Sequence, residues 1–261
     1  MAIGPIVRKE LIVAARRRQT YVGRASSVVV LLLLVGSIEA CAYAFGWDRA
    51  TIRGQAEFTI RTFGALAGVL MLLALMVSPT EVAPGVATER DKKSLDALLT
   101  TRLNGAEIVA GKLAAGLLNH AAGLLAGVPF VALLTFAWGI DPRLVLLTYA
   151  GVAATSFAAG AIAVGASAHS RNARRAVAYS LLGLMCWVYV PLVVVLVLPK
   201  FWPTAARWVA PVGWRLLDTS PVSLLAYVIG LKRRGTLVET ALRMIAWDTA
   251  GGVLLVAWTS L

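Results

Sequence analysis

Six separate stretches of this chain are each long and apolar enough to cross a lipid bilayer, and that repetition leaves little choice of fold. They occupy residues 26–45, 62–83, 107–138, 144–168, 176–198 and 242–261. A hydrocarbon core of about 30 Å is crossed by about 20 consecutive apolar residues in a helix. A helix also satisfies its own backbone hydrogen bonds, which lipid does not do for it. Composition points the same way: 59% of residues are hydrophobic and only 15% charged, where a soluble domain carries about 25%. The expected fold is an all-α polytopic membrane protein, residues 1–261 forming a single transmembrane domain with six transmembrane helices.

Residues 4–18 precede the first run and have a different character. Pro5 suits a first helical position. Val7, Leu11, Ala14 and Ala15 recur on one helical stripe, with Arg8, Lys9 and Arg16 off it. A basic amphipathic helix beside a span is expected to lie in the interface plane. Glu39 fits poorly in the cleavage-box-like stretch Ile38 to Cys41, and the basic region before it is long, so the first run reads as a retained anchor. Cys41 and Cys186 both fall inside spans and are expected to be small buried apolar residues.

The net charge of +12 does not imply nucleic acid, because no soluble basic stretch is interleaved with aromatics. Lys and Arg here orient the chain and meet anionic headgroups. Arg8, Lys9, Arg16, Arg17, Arg18 and Arg24 precede the first span, and Arg90, Lys92, Lys93, Arg102 and Lys112 follow the second. These place the amino terminus in the cytoplasm and the chain in the cell (inner) membrane. Lys232, Arg233 and Arg234 run against that count; they sit in the Trp- and Pro-rich segment 199–240, read as outer interfacial or re-entrant. The chain stops at Leu261 without a basic flank, as a piece lacking its native tail would.

Between the second and third spans lies a charged, amphipathic island, residues 88–103. Leu95, Leu98 and Leu99 share one helical face, with Arg90, Asp91, Lys93 and Asp96 opposite. Thr88 and Asp91 have the spacing of a capping box, as do Asn104 and Glu107 at the start of the third span. Such a helix either simply connects two spans or offers its polar face to a soluble partner. Gly105 to Lys112 is not a phosphate loop: five residues separate Gly105 from Gly111, and Leu113 follows Lys112 where Ser or Thr is needed.

This region resembles the signature of type 2 ABC transporter permeases. The resemblance is carried by Glu89-Arg90-Asp91, Ser94-Leu95-Asp96, Leu98-Leu99-Thr100-Thr101, Leu103 and Glu107-Ile108-Val109-Ala110-Gly111-Lys112, and by Arg8-Lys9-Glu10-Leu11 as an interfacial elbow. Lys93-Ser94 stands where Gly-Thr is usual, and Arg102 where Pro is common, which alters the docking surface. The resemblance implies half of a permease dimer, with a second permease copy in a homodimer or heterodimer. Each half would seat a cytoplasmic ABC ATPase on a coupling segment, with Glu89, Arg90 and Asp91 as contacts supported by Lys93 and Asp96. It implies no cofactor on this chain, ATP and Mg belonging to the partner ATPase, and the permease of an exporter that is not itself an enzyme.

Glu39, Asn119, His120 and Asp248 are polar residues inside spans. A central charge costs roughly 2.5 to 3.5 kcal/mol on insertion scales, so each should face protein or water. They could line a polar path, hydrogen-bond between helices, or be neutralised by protonation. His120 and His169 lie in different regions, so no metal cluster is assembled. The Gly64/Gly68 and Gly123/Gly127 pairs permit close helix contact. The rival reading is an ATP-independent secondary transporter or channel with Glu39 or Asp248 as ion relay; a third is a non-transporting scaffold.

Overall fold

The computed structural model describes residues 3–16, 18–47, 51–84, 87, 105–170, 172–202, 211–212 and 237–260. Among these no strand occurs. The elements are α1 (Ile3–Arg16), α2 (Arg18–Ala44), α3 (Ile52–Val82), α4 (Gly105–Trp138), α5 (Pro142–His169), α6 (Ala173–Leu192), a π turn (Val193–Val197), the short α7 (Leu198–Phe201) and α8 (Leu237–Ser260). Six stretches are long and apolar enough to cross a membrane: Thr20–Ala44, Ile52–Val82, Glu107–Ala137, Pro142–His169, Ala173–Phe201 and Ala241–Thr259. The chain is a multi-pass, all-α membrane protein. Glu89, Arg90, Asp91, Lys93 and Asp96 lie outside the described residues, as do Asn104 and most of segment 199–240.

Residues 52–61, ahead of the second apolar run, are helix. Thr51 caps α3, its hydroxyl accepting from Gly54 N at 3.1 Å. Glu57 pairs at helical spacing with Arg53 (3.2 Å) and Arg61 (3.8 Å). A cap and two such pairs stabilise a helix even where it faces water, so α3 starts ten residues before its apolar run. At its other end it passes through Pro79 without unwinding, and Ala83 N still donates to Pro79 O at 2.8 Å. The helix runs unbroken past Pro79 and ends at Val82, two residues before Pro84, so no irregularity falls at Pro79. The irregularity falls in the fifth span, where Pro191 and Pro199 flank the π turn and Leu198 N reaches back to Val193 O.

Helix α5 occupies the centre. Over half of its apolar stretch is buried (56%), against 11% for α2, 17% for α4 and α6 and 22% for α8, so these helices, α2 and α6 among them, form the rim around it. Small residues let neighbours approach: Ala154, Ala158, Ala159, Ala161 and Ala163 of α5 are all buried. Helices α5 and α8 run parallel, with contacts keeping step along both. Thr155 meets Asp248, Phe157 meets Gly252, Gly165 meets Leu255, and His169 stacks on Trp258 at 5.5 Å between ring centroids. A Cβ on Gly252 would stand 2.6 Å from Phe157 Cε1, so any larger residue would have to displace the Phe157 ring. The parallel pairing also places the exit of α7 and the entry of α8 on one side, that of the turns at Gly46 and Gly139.

Two expectations need correction. Cys41 and Cys186 are exposed on the outward faces of α2 and α6, not buried within the protein. Both belong to rim helices, whose apolar faces are turned away from the core. On α1, half-buried Val7 and exposed Arg8, Lys9 and Arg16 follow the expected stripe, whereas Ala15 is exposed. Helix α1 packs mainly against α4.

Candidate functional site

Three helices bring charged and amide groups together near the end of the bundle where α2 begins and α3 finishes. Arg24 lies four residues, about 6 Å, inside the start of the first span. Glu81 occupies the last turn of α3, and Asn119 and His120 lie on α4. Arg24 Nη2 donates to Asn119 Oδ1 at 3.2 Å, and Asn119 Nδ2 donates to Glu81 Oε1 at 2.9 Å. One carboxamide therefore bridges a guanidinium and a carboxylate. An amide suits this position because it carries both a donor and an acceptor.

The sequence positions explain the convergence. Asn119, Gly123 and Gly127 stand at i, i+4 and i+8, one face of α4. A Cβ on Gly127 would meet Leu31 Cδ1 at 3.3 Å, and one on Gly123 would meet Arg24 Cγ at 3.9 Å. On α2, Arg24, Val28 and Leu31 form the matching face. The Gly123/Gly127 pair thus serves contact between α2 and α4 within the chain. Beside the bridge lies a cavity of about 150 Å³ bounded by α2, α3 and α4, to which Arg24, Glu81, Asn119 and His120 contribute. Arg24 Nε, Glu81 Oε2 and His120 Nε2 are buried and have no hydrogen-bond partner among the described residues. Unsatisfied polar atoms in lipid-embedded protein cost free energy.

The four polar residues singled out from sequence do not converge. Asn119 and His120 share the cavity. Asp248, 2% exposed, lies between α5 and α8 and accepts from Thr155 Oγ1 at 3.2 Å through Oδ2. Glu39 is half-buried on α2, about 22 Å beyond Arg24 along the helix. The structure adds two residues that sequence reasoning missed. Arg24 had been grouped with the basic flank of the first span, and Glu81 lay unremarked between Pro79 and Pro84. The signal that could have found Arg24 is the glycine face of α4, which demands a close partner.

Six long apolar helices around a core of small residues, with ionic groups bridged inside one end, define a polytopic membrane protein. The chain belongs to the ABC-2 type transporter family, whose family model matches residues 2–216. It is accordingly a membrane permease subunit of an ABC transporter. The match ends before α8, which the structure packs lengthwise on α5. Among curated proteins, none matches the chain.

Proposed function

We propose that this chain is the permease of an exporter driven by a separate cytoplasmic ATPase, which supplies ATP and Mg chemistry while this chain supplies the path. Two copies, identical or related, would form the transporter in the cell membrane, with amino termini in the cytoplasm. Segment 88–103 is the seat of the ATPase, with Glu89, Arg90 and Asp91 as its contacts and Lys93 and Asp96 in support.

The observation that carries this reading is the bridge from Glu81 through Asn119 to Arg24. Glu81 lies just before segment 88–103 and Asn119 beyond it. The bridge therefore ties both flanks of that segment to α2. A displacement imposed on the segment would be passed to three spans at once, provided the ATPase contacts it differently in its two nucleotide states. The ion-relay rival is less well supported for Asp248, which sits buried in a packed helix interface with Thr155 as its donor.

The test is co-reconstitution of the chain with a co-encoded ATPase in liposomes. ATP hydrolysis by the ATPase should change when the permease is present, and Arg90→Glu should abolish that change. Transport activity that persists in liposomes without any ATPase would sink the proposal.

A further inference from the structure

The cavity between α2, α3 and α4 has two chemically different ends. Arg24, Glu81, Asn119 and His120 form one; Leu31, Leu70, Leu73 and Leu124 form the other. The polar end lies at the start of the first span, and Leu31 lies seven residues, about 10 Å, deeper along α2. Polar at the interface and apolar toward the midplane is the order in which a membrane lipid is built. Val30 lines the cavity and is itself 41% exposed, so the wall is continuous with the outer surface of the chain. The volume of about 150 Å³ corresponds to about five water molecules, room for one small head group and the first carbons of a chain.

We infer that this cavity binds a phospholipid whose head carries a primary ammonium, with its phosphate toward Arg24 and its ammonium toward Glu81. The guanidinium and the carboxylate stand one carboxamide apart. A head bearing phosphate alone would set a second negative group against Glu81, and a simple cation would face Arg24. A zwitterion answers both. The hydrogen-bond inventory narrows the choice further. Glu81 Oε1 accepts from Asn119, whereas Oε2 has no partner, and Arg24 Nε likewise lacks an acceptor. A ligand that donates to the carboxylate and accepts from the guanidinium would satisfy both. A primary ammonium has N–H groups to donate; a quaternary ammonium has none. Oε2 is buried, but the last torsion of a Glu side chain is broad, so the carboxylate can turn toward an entering head group.

The inference does not depend on the ATPase reading, because binding is measured on this chain alone. The full chain, purified in detergent, is offered equal amounts of phosphatidylethanolamine, phosphatidylcholine and phosphatidylglycerol, and retained lipid is counted by native mass spectrometry. Phosphatidylethanolamine should be retained roughly tenfold better than either competitor, the factor a single charge-assisted hydrogen bond commands. This comparison on the unmodified chain requires no variant to fold. Glu81→Gln, checked as folded by its melting transition, should lose the preference over phosphatidylcholine. Equal retention of the three lipids, or preference for phosphatidylglycerol, overturns the inference. So does an unchanged preference in folded Glu81→Gln. Displacement of the lipid by an equal concentration of free phosphoethanolamine would assign the cavity to a soluble ligand and overturn the lipid reading.

Discussion

Asn119 donates Nδ2 to Oε1 of Glu81 at 2.9 Å, joining residues that stand on opposite sides of the charged segment 88–103. Its own Oδ1 accepts from Arg24, so removal of this one amide strands two charged groups at once. A buried donor or acceptor left unpaired costs about 1–3 kcal/mol, more when charged. Asn119→Ala should therefore lower the thermal midpoint of the purified protein, by the shift equivalent to about 2 kcal/mol or more. Arg24→Leu combined with Glu81→Leu and Asn119→Leu should restore much of that loss, because a buried ionic group replaced whole by apolar side chains is often neutral or stabilising. A triple variant less stable than Asn119→Ala alone would contradict this account of the bridge.

Thr155 and Asp248 make the same argument in a simpler setting. Asp248 receives one hydrogen bond, from Thr155, and its Oδ1 receives none among the described residues. Thr155→Val keeps the shape of the interface and removes the donor, at a cost of about 1–3 kcal/mol. Asp248→Leu removes the demand itself, and should cost less than Thr155→Val or raise stability. Melting curves of the two variants decide it. Equal losses would mean that Asp248 has a donor that Thr155 does not supply.

The helices were legible in the sequence because lipid imposes long apolar runs, and length and hydropathy alone identify those. Their rotations were not. Arg24 and Asn119 are 95 residues apart, and their meeting follows from how α2 rolls against the glycine face of α4. Cys41 and Cys186 show the converse error: a span is apolar on every side, so its composition does not say which face is inside. Ile52–Arg61 extends α3 beyond its apolar run for a local reason. Its helix is held by a cap and by ion pairs, which an apolar-run criterion does not register. The contacts proposed at Glu89, Arg90, Asp91, Lys93 and Asp96 rest on the family resemblance, since those residues lie outside the described structure.

Gly252 measures how closely α8 sits on α5. An alanine there would place Cβ 2.6 Å from Phe157 Cε1 and 2.8 Å from Cδ1. Overpacking of this kind costs about 1–3 kcal/mol. Gly252→Ala should destabilise by that amount, and Phe157→Leu in the same chain should recover part of it by clearing the ring. Because the two residues touch, their effects should be non-additive by about 0.5–3 kcal/mol. A double-mutant cycle on thermal or denaturant unfolding measures the coupling directly, and strict additivity would separate the two helices at this level.

Arg90 and Asn119 should fail in different ways if segment 88–103 seats the ATPase. Arg90→Glu reverses a charge at the proposed contact, where a like-charge juxtaposition costs several kcal/mol. The ATPase should bind such a permease roughly tenfold more weakly or worse. Asn119 stands half-buried within the third span, bonded to Glu81 and Arg24. Asn119→Ala should leave binding of the ATPase near its normal strength while reducing the change in ATP hydrolysis that the permease causes. Binding is read by co-purification over a concentration series, and hydrolysis by phosphate release in the same liposomes. The two variants then separate docking from transmission. Weakened docking by Asn119→Ala would show that the bridge shapes the seat itself instead of carrying its motion to α2.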